Sequence, residues 1–144
     1  MTEVRTPQHK TLTPSNGVLV TIRSEKSFFE VIKAIESRLQ RFSIAKFNEY
    51  VTHGDRDGLE AYVDEVSAPS KFSIFFEFEQ GSGMRLAGIP IESKFYLAGN
   101  AVIARGLLRY SGAAGLGAPV RLPARWRTNA HRHGPAVRLL RKVS

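Results

Sequence analysis

Lys71-Phe72-Ser73-Ile74-Phe75-Phe76-Glu77-Phe78-Glu79 is the stretch that decides the fold. Phe72, Ile74, Phe76 and Phe78 alternate with Ser73, Phe75, Glu77 and Glu79, a period of two that suits a strand covered on one face. That reading places Phe76 in the core. Upstream, Gly17-Val18-Leu19-Val20-Thr21-Ile22-Arg23 is β-branched and apolar behind a turn-forming Ser15-Asn16, and reads as a first strand.

Between these strands the period becomes helical. Ser27 with Glu30 matches a capping box, and Phe28, Ile32, Ile35, Leu39 and Phe42 then fall on one face, opposite Glu30, Lys33, Arg38 and Arg41. Ile44, Phe47 and Val51 suggest a second helical piece. Leu59, Tyr62, Val63 and Val66 suggest a third, after a break at residues 55–58. Beyond the decisive strand, Gly81-Ser82-Gly83 reads as a turn, Met84 to Ile91 as a short strand, and Lys94 to Ala98 as another. Asn100 is placed to cap a helix with Val102, Ile103, Leu107 and Tyr110 as its buried stripe. Residues 111–118 are rich in glycine and alanine, and Pro119-Val120-Arg121-Leu122 opens a strand that does not obviously continue. The expected architecture is α+β, an antiparallel sheet with helices packed on one side.

Several short motifs carry a resemblance. The run Phe75 to Gly81, then Gly99-Asn100-Ala101-Val102-Ile103-Ala104, Leu107-Leu108-Arg109-Tyr110, and Ala118-Pro119-Val120 follow the order and spacing of the domain-of-unknown-function 302 family, over residues 17 to 122. That resemblance implies a TATA-binding-protein-like α+β arrangement and no established activity. The family pattern offers Asp-His where this chain has Glu79-Gln80, Pro where it has Ala101, and His-Asp where it has Tyr110-Ser111. An acid–base role needs a group that titrates near working pH, so the substitutions point away from catalysis. Glu79, Gln80, Gly81, Asn100 and Tyr110 are the ligand-binding candidates, as contacts made through shape and hydrogen bonds.

The rest of the chain adds little chemistry. Gly81-Ser82-Gly83 lacks the lysine and spacing of a phosphate loop, so no cofactor is expected. His131 and His133 have no third ligand near them, and no metal site is expected. The phenylalanines of 72–78 could stack on bases, yet Glu77 and Glu79 on the same strand oppose a phosphate backbone, and core packing is the expectation. The absence of cysteine fits a reducing compartment, and the polar residues 1–16 lack the apolar stretch of a signal peptide, so a cytoplasmic protein is expected. No apolar run reaches the roughly 20 residues of a membrane span.

Charge is distributed unevenly. Residues 1–118 hold 14 Lys and Arg against 13 Asp and Glu, whereas the last 26 hold seven and none, so the formal net charge of +8 belongs to the end of the chain. Three explanations compete for that basic stretch: a phosphate-binding arm, an inert disordered end, or the product of a shifted reading frame. Back-translating residues 131–144 and reading one base later, with permitted codon choices, gives Thr-Val-Thr-Asp-Arg-Pro-Ser-Ala-Phe-Phe-Ala-Lys-Phe, close to the usual ending of the resembled family. The expected organisation is a flexible segment 1–16, one α+β domain 17–122, and a basic, disordered tail 123–144. A shifted frame would leave a sheet edge open to homodimer formation. The function expected is small-molecule or protein binding rather than catalysis, with nucleic acid as an alternative partner reached only through the tail.

Overall fold

The computed structural model describes residue 14 and residues 17–111, 120–127 and 136–142. Among these residues five strands form one antiparallel sheet: β1 (Gly17–Arg23), β2 (Ser73–Glu79), β3 (Ile91–Gly99), β4 (Val120–Arg127) and β5 (Ala136–Lys142), in the order β1-β5-β4-β3-β2. The described residues also form five helices: α1 (Phe28–Arg38), α2 (Ile44–His53), α3 (Arg56–Ser67), α4 (Gly81–Leu86) and α5 (Ala101–Leu108). The class is α+β, as the alternation of periods predicts.

The helix starts follow local chemistry. Ser27 accepts from the Glu30 N–H while Glu30 accepts from the Ser27 N–H, the reciprocal pair of a capping box. Ser43 and Asp55 cap α2 and α3 from one side only, accepting from the N–H groups of Lys46 and Gly58. Gly54, with φ of 63°, ends α2 in the left-handed region that glycine enters without a Cβ clash.

Packing sets the faces of the sheet. Phe42, Tyr62, Val63 and Val66 form a buried cluster against which Phe47, Leu59, Phe75 and Val102 lean. Gln40 and Phe42 exchange backbone hydrogen bonds with Ile74, so the segment joining α1 to α2 runs along the outer edge of β2 and shields part of it.

Four expectations are corrected. The pairing register of β2 slips between Ile74 and Phe76. Ile74 stays buried at 2% exposure and Phe75 turns into the helical core, where it meets Phe42 edge-on at 5.0 Å, while Phe76 is 51% exposed. A β-bulge has shifted the phase of an otherwise regular alternation. Residues 81–86 form α4 instead of a turn and a short strand, because the Glu79 carboxylate accepts hydrogen bonds from the Ser82 N–H and hydroxyl and so serves the first turn of a helix. Tyr110 is 88% exposed, and Ile103 and Leu107 are about half exposed, so of the expected stripe only Val102 packs against the core, beside Ala101. Finally, β4 runs on to Arg127 and β5 follows, although 123–144 was expected to be a disordered tail. Backbone pairing explains the difference: β4 matches β3 over eight residue pairs and β5 matches β1 over seven, so these residues have ladder partners despite their charge. The edge expected to lie open beside β4 is occupied by β5, and the sheet ends instead at β1 and β2.

Proline 123 leaves a mark on that pairing. The β4–β5 register holds at Arg121, Ala124 and Arg125 but skips Leu122 and Pro123, since proline brings no N–H to an interior ladder. The expectations for residues 1–13, 15–16, 112–119, 128–135, including His131 and His133, and 143–144 lie outside the described residues.

Candidate functional site

The five candidate residues do not converge. Glu79 pairs with Lys94 at one end of the β2–β3 ladder, while Asn100 follows Gly99, the partner of Ser73, at the other. Five residues along β3 separate those pairs, roughly 17 Å at strand rise.

At the first end, Glu79 is held by Ser82 and Arg85, and the hydrogen bonds from Ser82 keep its carboxyl below the usual carboxylate range. The Gln80 carbonyl oxygen accepts from the Ser93 hydroxyl at 2.8 Å. Gly81 is buried, and a Cβ there would lie 2.6 Å from Glu79 Oε1 and 3.1 Å from the Ser93 nitrogen, so this glycine permits a close approach of backbone to β3. Arg85 also pairs with Glu92. Glu79, Arg85, Glu92 and Lys94 border a cavity of about 460 Å³ with Phe28, Phe29 and Ile32 of α1. Glu79 and Gln80 thus spend their hydrogen bonds on the α4 junction.

Beside that cavity lies a charged cluster. Glu36 accepts from Lys94 at 2.6 Å and from the Tyr96 hydroxyl at 2.8 Å, and Arg41 reaches both Glu36 and Glu77. Burial raises the Glu36 carboxyl, but the hydrogen bonds from Lys94 and Tyr96 outweigh it and hold the group below its ordinary value. The hydrogen bond from Arg41 does the same for Glu77. Burial, reinforced by the bond to Glu36, pushes the Tyr96 hydroxyl well up, so it remains a donor. Every member has a partner inside the cluster, and its effect is to pin α1 to the sheet.

At the other end, Asn100 is a structural joint. Its carbonyl oxygen accepts from the Val102 and Ile103 N–H groups at 3.0 and 3.1 Å, and its amide donates to the Lys71 carbonyl at 3.1 Å. That cap orients α5 so that Ala101, Val102, Ala104, Arg105, Leu108 and Arg109 line a cavity of about 690 Å³. Phe42, Ile44 and Phe47 close it from the α2 side, Leu59 and Val63 from α3, and Phe75 from β2. The walls are apolar apart from two guanidinium groups. Arg105 is held by Glu60 of α3 at 2.9 Å, whereas Arg109 forms no ion pair among the described residues.

Sequence reasoning identified Asn100 and missed what Asn100 positions. Phe47, Leu59 and Val102 were legible only as helical stripes, and Arg105 of α5 and Arg109 at its C-cap are four residues apart, a spacing that aligns them. Among the described residues no group of three or more His, Asp or Glu could hold a metal ion, and no helix is long and apolar enough to cross a membrane. No family's sequence profile matches the chain, and no curated protein matches it either.

Proposed function

We propose that this domain is a small-molecule-binding module and that its ligand occupies the cavity between α2, α3 and α5. The observation that carries this reading is the cavity itself: about 690 Å³, apolar on most sides, with two arginines on one wall. That volume lies within the range of small-molecule sites, which combine apolar walls with a few polar groups that fix orientation. The arginines suit an anionic head group on an apolar body, such as a carboxylate. Binding fits better than catalysis here, because arginine stays protonated and the described lining residues include no group that could act as base or nucleophile.

Titration with a neutral fluorescent naphthylamine, followed by displacement with decanoate or decanol, tests the reading. Dye emission should rise on binding and fall on displacement, with decanoate the stronger competitor. Ala104→Trp, which fills the space from a half-buried position, should abolish the signal while leaving the melting temperature close to the parent's. An unchanged signal in that variant would place the dye elsewhere and remove the support.

A further inference from the structure

The face of the sheet turned away from α1 carries a second, unrelated set of groups. Lys94 and Tyr96 of β3 reach Glu36 of α1, and Glu77 of β2 reaches Arg41, so these side chains share the helical side. Alternation then sends Phe76 and Phe78 of β2, and Phe95 and Leu97 of β3, to the opposite face. The register joins them, with Phe76 opposite Leu97 and Phe78 opposite Phe95. Phe76 and Phe78 are 51% and 55% exposed, and their rings lie 6.5 Å apart at only 25° to each other.

Arginines border this patch. Phe95 pairs with Pro123, Leu97 with Arg121 and Ser93 with Arg125, which brings Arg121 and Arg125 onto the same face. Carried through β5, the register aligns Arg23 of β1 with Arg125. Among the described strand residues no Asp or Glu lies on this face. Glu77 and Glu79, whose charge argued against a phosphate-bearing partner in the sequence, both point to the helical side and are paired there with Arg41 and Arg85.

We propose that this face binds single-stranded RNA. Unpaired bases, the ordinary state of RNA loops and ends, stack on exposed aromatic rings of an antiparallel sheet, while flanking arginines meet the phosphates. Double-stranded nucleic acid offers no free base faces to Phe76 and Phe78. The charge that the sequence assigns to a tail is, at Arg121 and Arg125, part of this sheet surface. The inference is independent of the cavity between α2, α3 and α5, which opens among the helices.

Fluorescence anisotropy of the full chain with labelled twelve-nucleotide uridine RNA, its thymidine DNA counterpart and a duplex of the same length tests the proposal. The RNA should bind more tightly than the duplex, with log affinity falling against log salt at a slope of about −1.4, as expected for phosphate contacts from Arg23 and Arg125. Phe76→Ala and Phe78→Ala should each weaken binding roughly ten-fold, the scale of one lost base–ring stack. Phe29→Ala, at a 71% exposed ring on α1, should leave it unchanged. Arg125→Ala should flatten the salt slope by about 0.7. Duplex binding as tight as the RNA's, or no effect of either β2 variant, would overturn the proposal. Tighter binding to the DNA would overturn the assignment to RNA. Sedimentation showing a dimer that Phe76→Ala converts to monomer would overturn it as well, by assigning the face to a second copy of the chain.

Discussion

The ring of Phe75 rests directly on the backbone of Gly99: a Cβ added at Gly99 would lie 2.7 Å from Phe75 Cε2. The bulge that brings Phe75 into the helical core therefore depends on the absence of a side chain at the end of β3. Gly99→Ala should cost about 1–3 kcal/mol by overpacking, and Phe75→Leu in the same chain should recover part of the loss. Urea melts of the parent, the two single variants and the double variant check this, and strictly additive losses would show that the contact is not the cause.

Phase inversion along β2 makes a second outcome expected. Ile74→Ala should destabilise by about 2–5 kcal/mol because it empties a buried site, while Phe76→Ala should cost less than about 1 kcal/mol. Equal losses would restore the simple alternation in which both face the core.

How far the sequence reaches is visible at these two residues. Period two correctly announces a strand over 73–79, yet a bulge is a one-residue event set by what fits over Gly99, and alternation alone carries no sign of it. The caps at Ser27 and Asn100 were more legible, since each acts within three residues. Glu79 and Gln80 read as ligand contacts because Gly81-Ser82-Gly83 reads as a turn: once 81–86 is helical, Ser82 and Arg85 engage Glu79, while Ser93 reaches Gln80 only through the hairpin. β5 was hidden for a related reason: its ladder partner β1 lies more than a hundred residues earlier, and local composition spoke only of charge.

Acid should loosen the attachment of α1. Glu36 and Glu77 have carboxyl groups held below their ordinary values in the folded chain, so the unfolded state binds their protons first as pH falls. Their stabilisation is fully present above the ordinary carboxylate range and is lost as pH drops through the folded values. Glu36→Gln should lower stability at pH 7 by on the order of 1–3 kcal/mol and flatten the decline between pH 5 and 3. Denaturant midpoints measured across that interval decide it, and a parallel decline in parent and variant would exclude Glu36.

Removal of residues 128–144 takes away β5 and with it the seven backbone pairings of β1. The shortened chain should melt lower and lose amide protection in residues 17–23, while residues 91–99 keep theirs through β2 and β4. Hydrogen exchange read residue by residue distinguishes this from a tail without structural role, for which protection in β1 would not change.

Strand order also constrains when the sheet can be completed. β1 is the earliest of the described strands to be synthesised, but its neighbour in the sheet is β5, so it waits through the synthesis of more than a hundred residues before that ladder can form. In that interval Val18, Leu19, Val20 and Ile22, which remain 39–58% exposed even in the finished fold, present an apolar β-prone segment with no mate. Assembly would begin in the β2–β3 hairpin, whose contacts are local, and close the longest loop last. The interval before that closure is when a nascent chain is most open to capture by another copy or by a chaperone, a vulnerability written into the topology and not into any one residue.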